Sequence, residues 1–349
     1  MFSVRGPSRG ALPLRNRTNL EILHRAKPMP NAERRTPNGE RRTPNASVRE
    51  VDLEMEWRFY LSGLASYLES RIVGQSAATG RIARAVQAAE LGLNEGGNRP
   101  RCSFLLLGPT GVGKTESAKC FNEYLFGSRS ALEMIFMNEY SSDARLPEFL
   151  QRAEAAIRRN PEGTTLLFDE IEKAHARLID IFLSLLEEGE LTTISGDRIS
   201  VANFYLVLTS NLGSGDLARM ESAPYAMMER VALEGASQVL RPELFARITE
   251  RIVFRPLGLD VQKSIIEGLM KSKLKVLSDY FGMELSVDVG PVTAFLLRVG
   301  FQKTQGARRL GQEVDRQFNL ASLSYALDFI KPAEGKFYYD SCLGCLVLK

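Results

Sequence analysis

Apolar residues along this chain recur with two different periods, and the change between them divides it. Leu53, Trp57, Leu61, Leu64, Leu68 and Ile72 are spaced by three or four, which predicts an amphipathic helix ending at Val73-Gly74-Gln75. A second helix is predicted through Ile82, Val86 and Ala89, stopped by Gly96-Gly97 and Pro100. Short apolar runs then alternate with helical spacing. Strands are predicted at Ser103–Leu107, Met134–Met137, Thr165–Phe168 and Phe204–Thr209. Helices fall between them, ending near Leu125, at Pro147–Arg159 and at Leu178–Glu187, with a polar stretch at Thr192–Ser200. This alternation predicts an α/β fold, a parallel sheet sandwiched between helices, with ligands at the carboxyl ends of its strands.

After Arg255 the pattern turns helical. Val261, Ile265, Leu269 and Leu274 form a stripe behind Asp260, a candidate cap; Pro291 opens a helix with Phe295 and Val299; Leu310, Val314, Phe318 and Ala321 mark a third. Lys336–Tyr339 and Leu343–Leu348 read as a terminal strand pair. The expected organisation is therefore a tail over 1–50, a large α/β domain over 51–254 and a small helical domain over 255–349.

Composition changes the picture at the amino-terminal end. The 349 residues carry a net charge of +3, but residues 1–50 hold 11 of the 45 Lys and Arg against 4 of the 42 Asp and Glu. The segment is thus +7 and the rest −4. It contains six prolines and a tandem repeat, ERRTPNG at Glu33–Gly39 and ERRTPNA at Glu40–Ala46. Such a segment buries too little apolar surface to offset the entropy of ordering, so disorder is expected there. Two uses stay open, a solvated linker or a basic arm for an acidic partner. No run of 18 apolar residues predicts a membrane span, and Met1–Gly10 lacks the apolar centre of a secretory signal. Four cysteines, Cys102, Cys120, Cys342 and Cys345, point to a reducing, cytoplasmic setting rather than a disulfide framework. The Cys342/Cys345 pair has no second pair beside it, so strand or core cysteines are expected rather than a zinc or redox site.

The chemistry begins at Phe104–Thr115, FLLLGPTGVGKT, an apolar run breaking into a glycine-rich loop. Gly108, Gly113, Lys114 and Thr115 fit GxxxxGK[ST] between a predicted strand and a predicted helix. Backbone N–H groups of such a loop close around phosphates, the lysine adds a point charge and the threonine hydroxyl is offered to Mg²⁺. Leu166-Leu167-Phe168-Asp169-Glu170 is an apolar strand ending in two acids, as metal-assisted phosphate hydrolysis requires: Asp169 to place the metal, Glu170 to polarise water. At Thr209-Ser210-Asn211 another strand stops at a neutral amide, which could orient water or serve only as a turn. Arg247 and Arg308, near helix ends, say little alone.

Taken in order, GPTGVGKTE (Gly108–Glu116), MNEY (Met137–Tyr140), LLFDEIEKAH (Leu166–His175), LTSNLGS (Leu208–Ser214), RPELFARI (Arg241–Ile248) and QGARRL (Gln305–Leu310) resemble the AAA+ module of Clp/Hsp100 proteins. With RIVGQ at Arg71–Gln75, the likeness is to the second ATPase module of the ClpB and ClpA type and runs over about 53–349. The resemblance implies a P-loop AAA+ fold with a small helical lid, and binding and hydrolysis of ATP with Mg²⁺. It places Val73, Gly74 and Gln75 near the adenine. Gly108, Pro109, Thr110, Gly111, Val112, Gly113, Lys114, Thr115 and Glu116 become the phosphate loop, and Asp169 and Glu170 the Walker B pair. Asn211 becomes sensor 1, Arg308 sensor 2 on the lid, and Arg247 the finger that reaches a neighbour's γ-phosphate. Thr115 and Asp169 are the implied metal ligands; a finger acting in trans implies a homo-oligomeric ring, and the resemblance implies that the ring is a hexamer.

Departures from the family pattern limit that transfer. Tyr140 is followed by SSDARLPEFLQRAEAAIRRNPEG, without the Gly-Tyr-Val-Gly pore tetrapeptide that grips a threaded polypeptide, and Phe149 sits at core spacing. The second pore segment keeps Ser195-Gly196-Asp197-Arg198. No Ile-Gly-Phe or Ile-Gly-Leu peptidase-docking tripeptide lies between Asn211 and Arg241. Around the finger, Ala246, Thr249 and Arg251 stand where the family has Asn, Asp and Ile. Neither a first ATPase module nor a folded amino-terminal substrate domain is read, so a complete disaggregase is not expected. Two functions follow: a ring ATPase that remodels or disassembles a protein partner without the usual threading, or a nucleotide-gated scaffold or switch in a larger machine. A DNA-acting reading has only the basic tail in its favour.

Overall fold

The computed structural model describes residues 55–94, 97–300, 306–327 and 334–349. The basic segment 1–50, with its repeat, and Leu53 lie outside the described residues. Residues 55–62 are helical and lead through Gly63 into α1 (Leu64–Arg71), followed by α2 (Ser76–Glu90). Trp57, Leu61, Leu64, Leu68 and Ile72 are all buried, as their spacing predicts. Then come β1 (Cys102–Leu107), α3 (Lys114–Phe126), β2 (Glu133–Phe136), α4 (Leu146–Arg159), β3 (Thr165–Asp169) and α5 (Ala176–Glu187). The polar stretch Thr192–Ser200 is not a plain loop: with the residues before it, it forms a hairpin of β4 (Glu190–Thr192) and β5 (Arg198–Ser200). The large part closes with β6 (Tyr205–Ser210), α6 (Ser214–Arg219), α7 (Tyr225–Val239), α8 (Pro242–Arg247) and β7 (Glu250–Val253).

Five strands form one parallel sheet in the order β2-β3-β6-β1-β7. The inner strands are buried along almost their whole length, which is why they read as continuous apolar runs. The edge strand β7 was not anticipated, because two of its four residues are Glu250 and Arg251. Leu105, Phe168, Leu206, Phe149 and Phe182 build the core on one face, and Phe104, Leu106, Leu64, Ile82 and Phe121 the core on the other. Phe149 is fully buried against Tyr140, Phe168 and Phe182, so its helical spacing does mark core. Because β6 lies between β1 and β3, the segments that leave their three carboxyl ends are neighbours.

The remainder is α9 (Leu259–Phe281), β8 (Glu284–Val287), α10 (Val289–Gly300), α11 (Gly306–Leu327), β9 (Glu334–Asp340) and β10 (Cys345–Leu348). The strand pair β9–β10 is antiparallel, and β8 joins it parallel to β9 as a third strand. One fully buried residue in four left β8 without a readable pattern. In α9 the residues buried in the small core are Ile266, Met270 and Leu277, while Val261 and Ile265 pack on the large part. The helix thus has two apolar faces, and spacing alone does not tell which core each one meets. Asp260 is not its cap: Gly258 holds that position, and Asp260 pairs with Lys263 at 3.3 Å in the first turn. Among the described residues no helix is long and apolar enough to cross a membrane.

Candidate functional site

Where β1 ends, the chain turns through Gly108 to Gly113 into α3. Gly108 has φ +141, and a Cβ there would lie 2.7 Å from the Phe254 carbonyl oxygen at the end of β7, so only glycine lets the loop start here. Lys114, the first residue of α3, is buried and folds back over the loop. Its ammonium donates to the carbonyls of Gly108 and Pro109, the latter at 2.8 Å, and to Asn211 Oδ1 at 2.9 Å. Burial pushes this lysine down to about 8 from an ordinary 10.5, opposed by the carboxylates of Asp169, Glu172 and Glu170.

The acidic pair stands at the end of β3, beside the end of β6. Asp169 Oδ1 accepts from the Thr209 hydroxyl at 2.7 Å and faces the Thr115 hydroxyl at 3.4 Å. Glu170 has φ +59 and is the one non-glycine residue with positive φ among the described residues. Such backbone is costly and persists where neighbours over-determine it. Here its N–H donates to Thr209 Oγ1 at 3.1 Å and its Oε1 accepts from Asn211 Nδ2 at 2.8 Å. The Asn211 amide therefore touches the loop lysine with its oxygen and Glu170 with its nitrogen, an arrangement that a turn residue or helix cap would not need. The order of motifs had indicated Asn211 but not Thr209, whose hydroxyl serves both acids.

These groups open into a cleft of about 610 Å³ between the large and small parts. Ile72, Val73, Thr110, Gly111, Val112, Gly113, Lys114, Thr115, Glu116, Asp169, Glu170, Asn211 and Arg308 line it. Glu116 also pairs with Arg129. Gly108 and Pro109 stand behind, holding Lys114 through their carbonyls. Gly74 and Gln75 do not line the cleft either. A Cβ on Gly74 would meet Val261 Cγ1 at 2.5 Å, and the Gln75 amide is occupied by the Arg255 main chain at 2.9 and 3.0 Å. The far wall, missed in the sequence, comes from α9: Ser264, Ile265, Gly268, Leu269 and Ser272. The spacing of Val261, Ile265, Leu269 and Leu274 predicts a helix there, but not that this face turns toward the cleft.

The small part meets the phosphate loop directly. Ala307 donates its N–H to Gly111 O at 2.9 Å, and Arg308 projects into the cleft one residue further on. Gly306 has φ +53, and a Cβ on it would lie 2.6 Å from Thr110 O. Gly306→Ala should therefore push α11 off the loop at a cost of about 1–3 kcal/mol. Nucleotide affinity is expected to fall about tenfold. Titration of a fluorescent nucleotide checks this, and an unchanged affinity would count against lid contact in binding.

Arg247 lies elsewhere. It closes α8, with Nε and Nη2 each 2.7 Å from Glu187 Oε2 at the end of α5, and does not line this chain's own cleft. The cysteines are free: burial pushes Cys102 up to about 12 and Cys120 to about 11, Cys342 is exposed and Cys345 half-buried on the terminal hairpin. Among the described residues no cluster of three or more His, Cys, Asp or Glu forms a metal cage. The Thr115 hydroxyl and Asp169 carboxylate, 3.4 Å apart, are instead the sparse oxygen set that suits Mg²⁺ shared with substrate phosphates. Such an ion would screen phosphate charge when bound.

Residues 99–251 match the family model described as AAA domain (Cdc48 subfamily). The chain is 34% identical over 281 residues to the chloroplastic chaperone protein ClpD1 of Oryza sativa, covering 74% of this chain and 29% of that protein. It is 37% identical over 281 residues to the chaperone protein ClpB of Pseudomonas putida, covering 75% and 32%. The chain thus spans about a third of the length of these relatives. Among solved structures, an Hsp104–ADP complex of Saccharomyces cerevisiae superposes with a TM-score of 0.72 at 25% identity, over 83% of this chain and 52% of that one. A phosphate loop, an acid pair and an amide gathered at the ends of β1, β3 and β6 under a helical lid, with these relatives, make the chain a member of the Clp/Hsp100 type of AAA+ ATPases.

Proposed function

We propose that this chain binds and hydrolyses ATP in its cleft and works as a homo-oligomeric ring, a hexamer, that remodels or disassembles a protein partner. The observation that carries the reading is Asn211, whose one side chain joins Lys114 at 2.9 Å to Glu170 at 2.8 Å. A group that senses phosphate through the lysine is thereby mechanically tied to the carboxylate that would polarise water. Val73 marks the adenine end in this proposal, with Gly74 and Gln75 bracing it from behind the cleft wall through Val261 and the Arg255 main chain, and Arg308 reaches phosphate from the lid. The placement of Arg247 outside its own cleft supports a role at a neighbour's. Hydrolysis would then depend on assembly, with charge on the transferred phosphoryl stabilised across the subunit boundary.

Arg247→Ala is accordingly expected to lower turnover about 100-fold or more while ATP affinity changes less than about threefold. Losing the ion pair with half-exposed Glu187 costs the fold little. Steady-state phosphate release across the range of protein concentration over which the ring forms is the measurement. Turnover that is independent of both concentration and Arg247 would establish a self-contained subunit.

A scaffold or switch driven by nucleotide is the second reading, and one observation favours it. Tyr140 and Phe149, the aromatics nearest the expected gripping loop, are both buried in the core. Client handling in the first reading therefore proceeds without the usual threading loop. Residues 1–50 are the candidate arm for an acidic partner, and the reducing interior of a cell is the proposed setting.

A further inference from the structure

We propose that Glu172 is a positioning residue for hydrolysis, holding the backbone of Asn211 so that its amide can tie Glu170 to Lys114. The inference rests on the ATP-hydrolysing reading of the same cleft. Glu172 lies two residues past Glu170, on a short 3-10 turn over Ile171–Lys173. Its Oε1 accepts the Asn211 main-chain N–H at 3.0 Å. Asn211 in turn donates from Nδ2 to Glu170 Oε1 at 2.8 Å. Two carboxylates of a single turn thus hold one residue of β6's end, one by its backbone and the other by its side chain. The loop closes on itself.

Two features make this more than an ordinary turn contact. The Glu172 Oε2 atom is buried with no hydrogen-bond partner, an expensive place for a carboxylate unless nearby positive charge offsets it. Lys114 supplies that charge, since Glu172 is among the acids that favour its protonated form. Glu170 is also held at φ +59, and strained backbone of this kind relaxes when a restraint is removed. The restraints on it include the Thr209 hydroxyl, the Lys173 N–H, which donates to the Glu170 carbonyl at 2.9 Å, the Asn211 amide and, through Asn211, Glu172. Without the last of them, Asn211 loses the anchor on its N–H, and its amide, still in reach of Lys114 and Thr110, can shift relative to Glu170 and let that carboxylate turn from the water it would polarise, while the phosphate loop itself stays intact.

Glu172→Ala and Glu172→Gln separate this role from a general structural one, because glutamine keeps a carbonyl oxygen that can accept the Asn211 N–H. In Glu172→Ala, kcat for ATP is expected to fall about tenfold or more with KM within about threefold of wild type. Hydrogen exchange at the Asn211 amide should lose its protection in the same variant. Glu172→Gln should retain both the protection and turnover to within about threefold. The proposal is overturned if Glu172→Ala leaves the Asn211 amide protected, if KM rises as far as kcat falls, or if the glutamine variant fails as badly as alanine. Inactive wild-type protein assayed alongside would count against ATP hydrolysis itself, and the amide exchange would still decide whether Glu172 holds Asn211.

Discussion

Replacing Glu170 by glutamine is expected to lower ATP turnover about 100-fold or more while ATP remains bound. The side chain is the same size, and its amide oxygen can still accept from Asn211 Nδ2, the contact now made at 2.8 Å. The N–H of residue 170 keeps its bond to Thr209 at 3.1 Å, so the backbone at φ +59 stays as it is. What disappears is the negative oxygen that can draw a proton from water. Rapid gel filtration of the variant with labelled ATP should retain unhydrolysed nucleotide with the protein, and phosphate release should be close to background. Turnover at the wild-type rate would mean that another group polarises the water. The same variant, held in its ATP state, is the form with which to capture a client in a pull-down.

Lys114→Ala should act earlier, on binding. Loss of charge-assisted contacts to phosphate is worth about 2–3 kcal/mol, or a roughly 30- to 140-fold weaker affinity, with turnover lost as a consequence. The wild-type lysine makes a further prediction through pH. Burial holds it at about 8 in the folded protein against an ordinary 10.5, so the unfolded chain binds this proton more tightly. Its charge therefore weighs against the fold below pH 8, and that penalty fades as pH rises from 8 toward 10.5. Phosphate beside the ammonium favours the charged form and raises the value again. Nucleotide binding at pH 8.5 is thus expected to take up over half a proton and at pH 7 almost none at this residue, because the group titrates near 8. Calorimetry in buffers of different ionisation enthalpy reads this directly. Uptake that is absent at pH 8.5 would show that phosphate does not reach Lys114.

The parts of the site that were legible in the sequence share one property: each is a short motif at the end of an apolar run. Gly108–Thr115, Asp169, Glu170 and Asn211 could be named because strand ends are visible as breaks in hydrophobicity, and all of them line or brace the cleft. Thr209 and Glu172 stood within the same motifs, yet nothing in spacing distinguished them from turn residues. Their roles depend on which strand lies next to which. The α9 wall was missed for a related reason: Ile265 and Leu269 have the periodicity of a core helix, and only the docking of the lid turns that face toward the cleft. Residues 250–253 escaped notice as a strand because an edge position tolerates Glu250 and Arg251.

The sequence by itself determined the α/β class, the helical lid, the phosphate loop and the acid pair, since local periodicity and fixed residue spacing carry that information. The tertiary structure decided the rest. Insertion of β6 between β1 and β3 brought Asn211 to both Lys114 and Glu170, and packing buried Tyr140 and Phe149 in the core. Arg247 was carried to the far end of α8, against Glu187. These are contacts between residues distant in the chain, and strand order and helix docking create them.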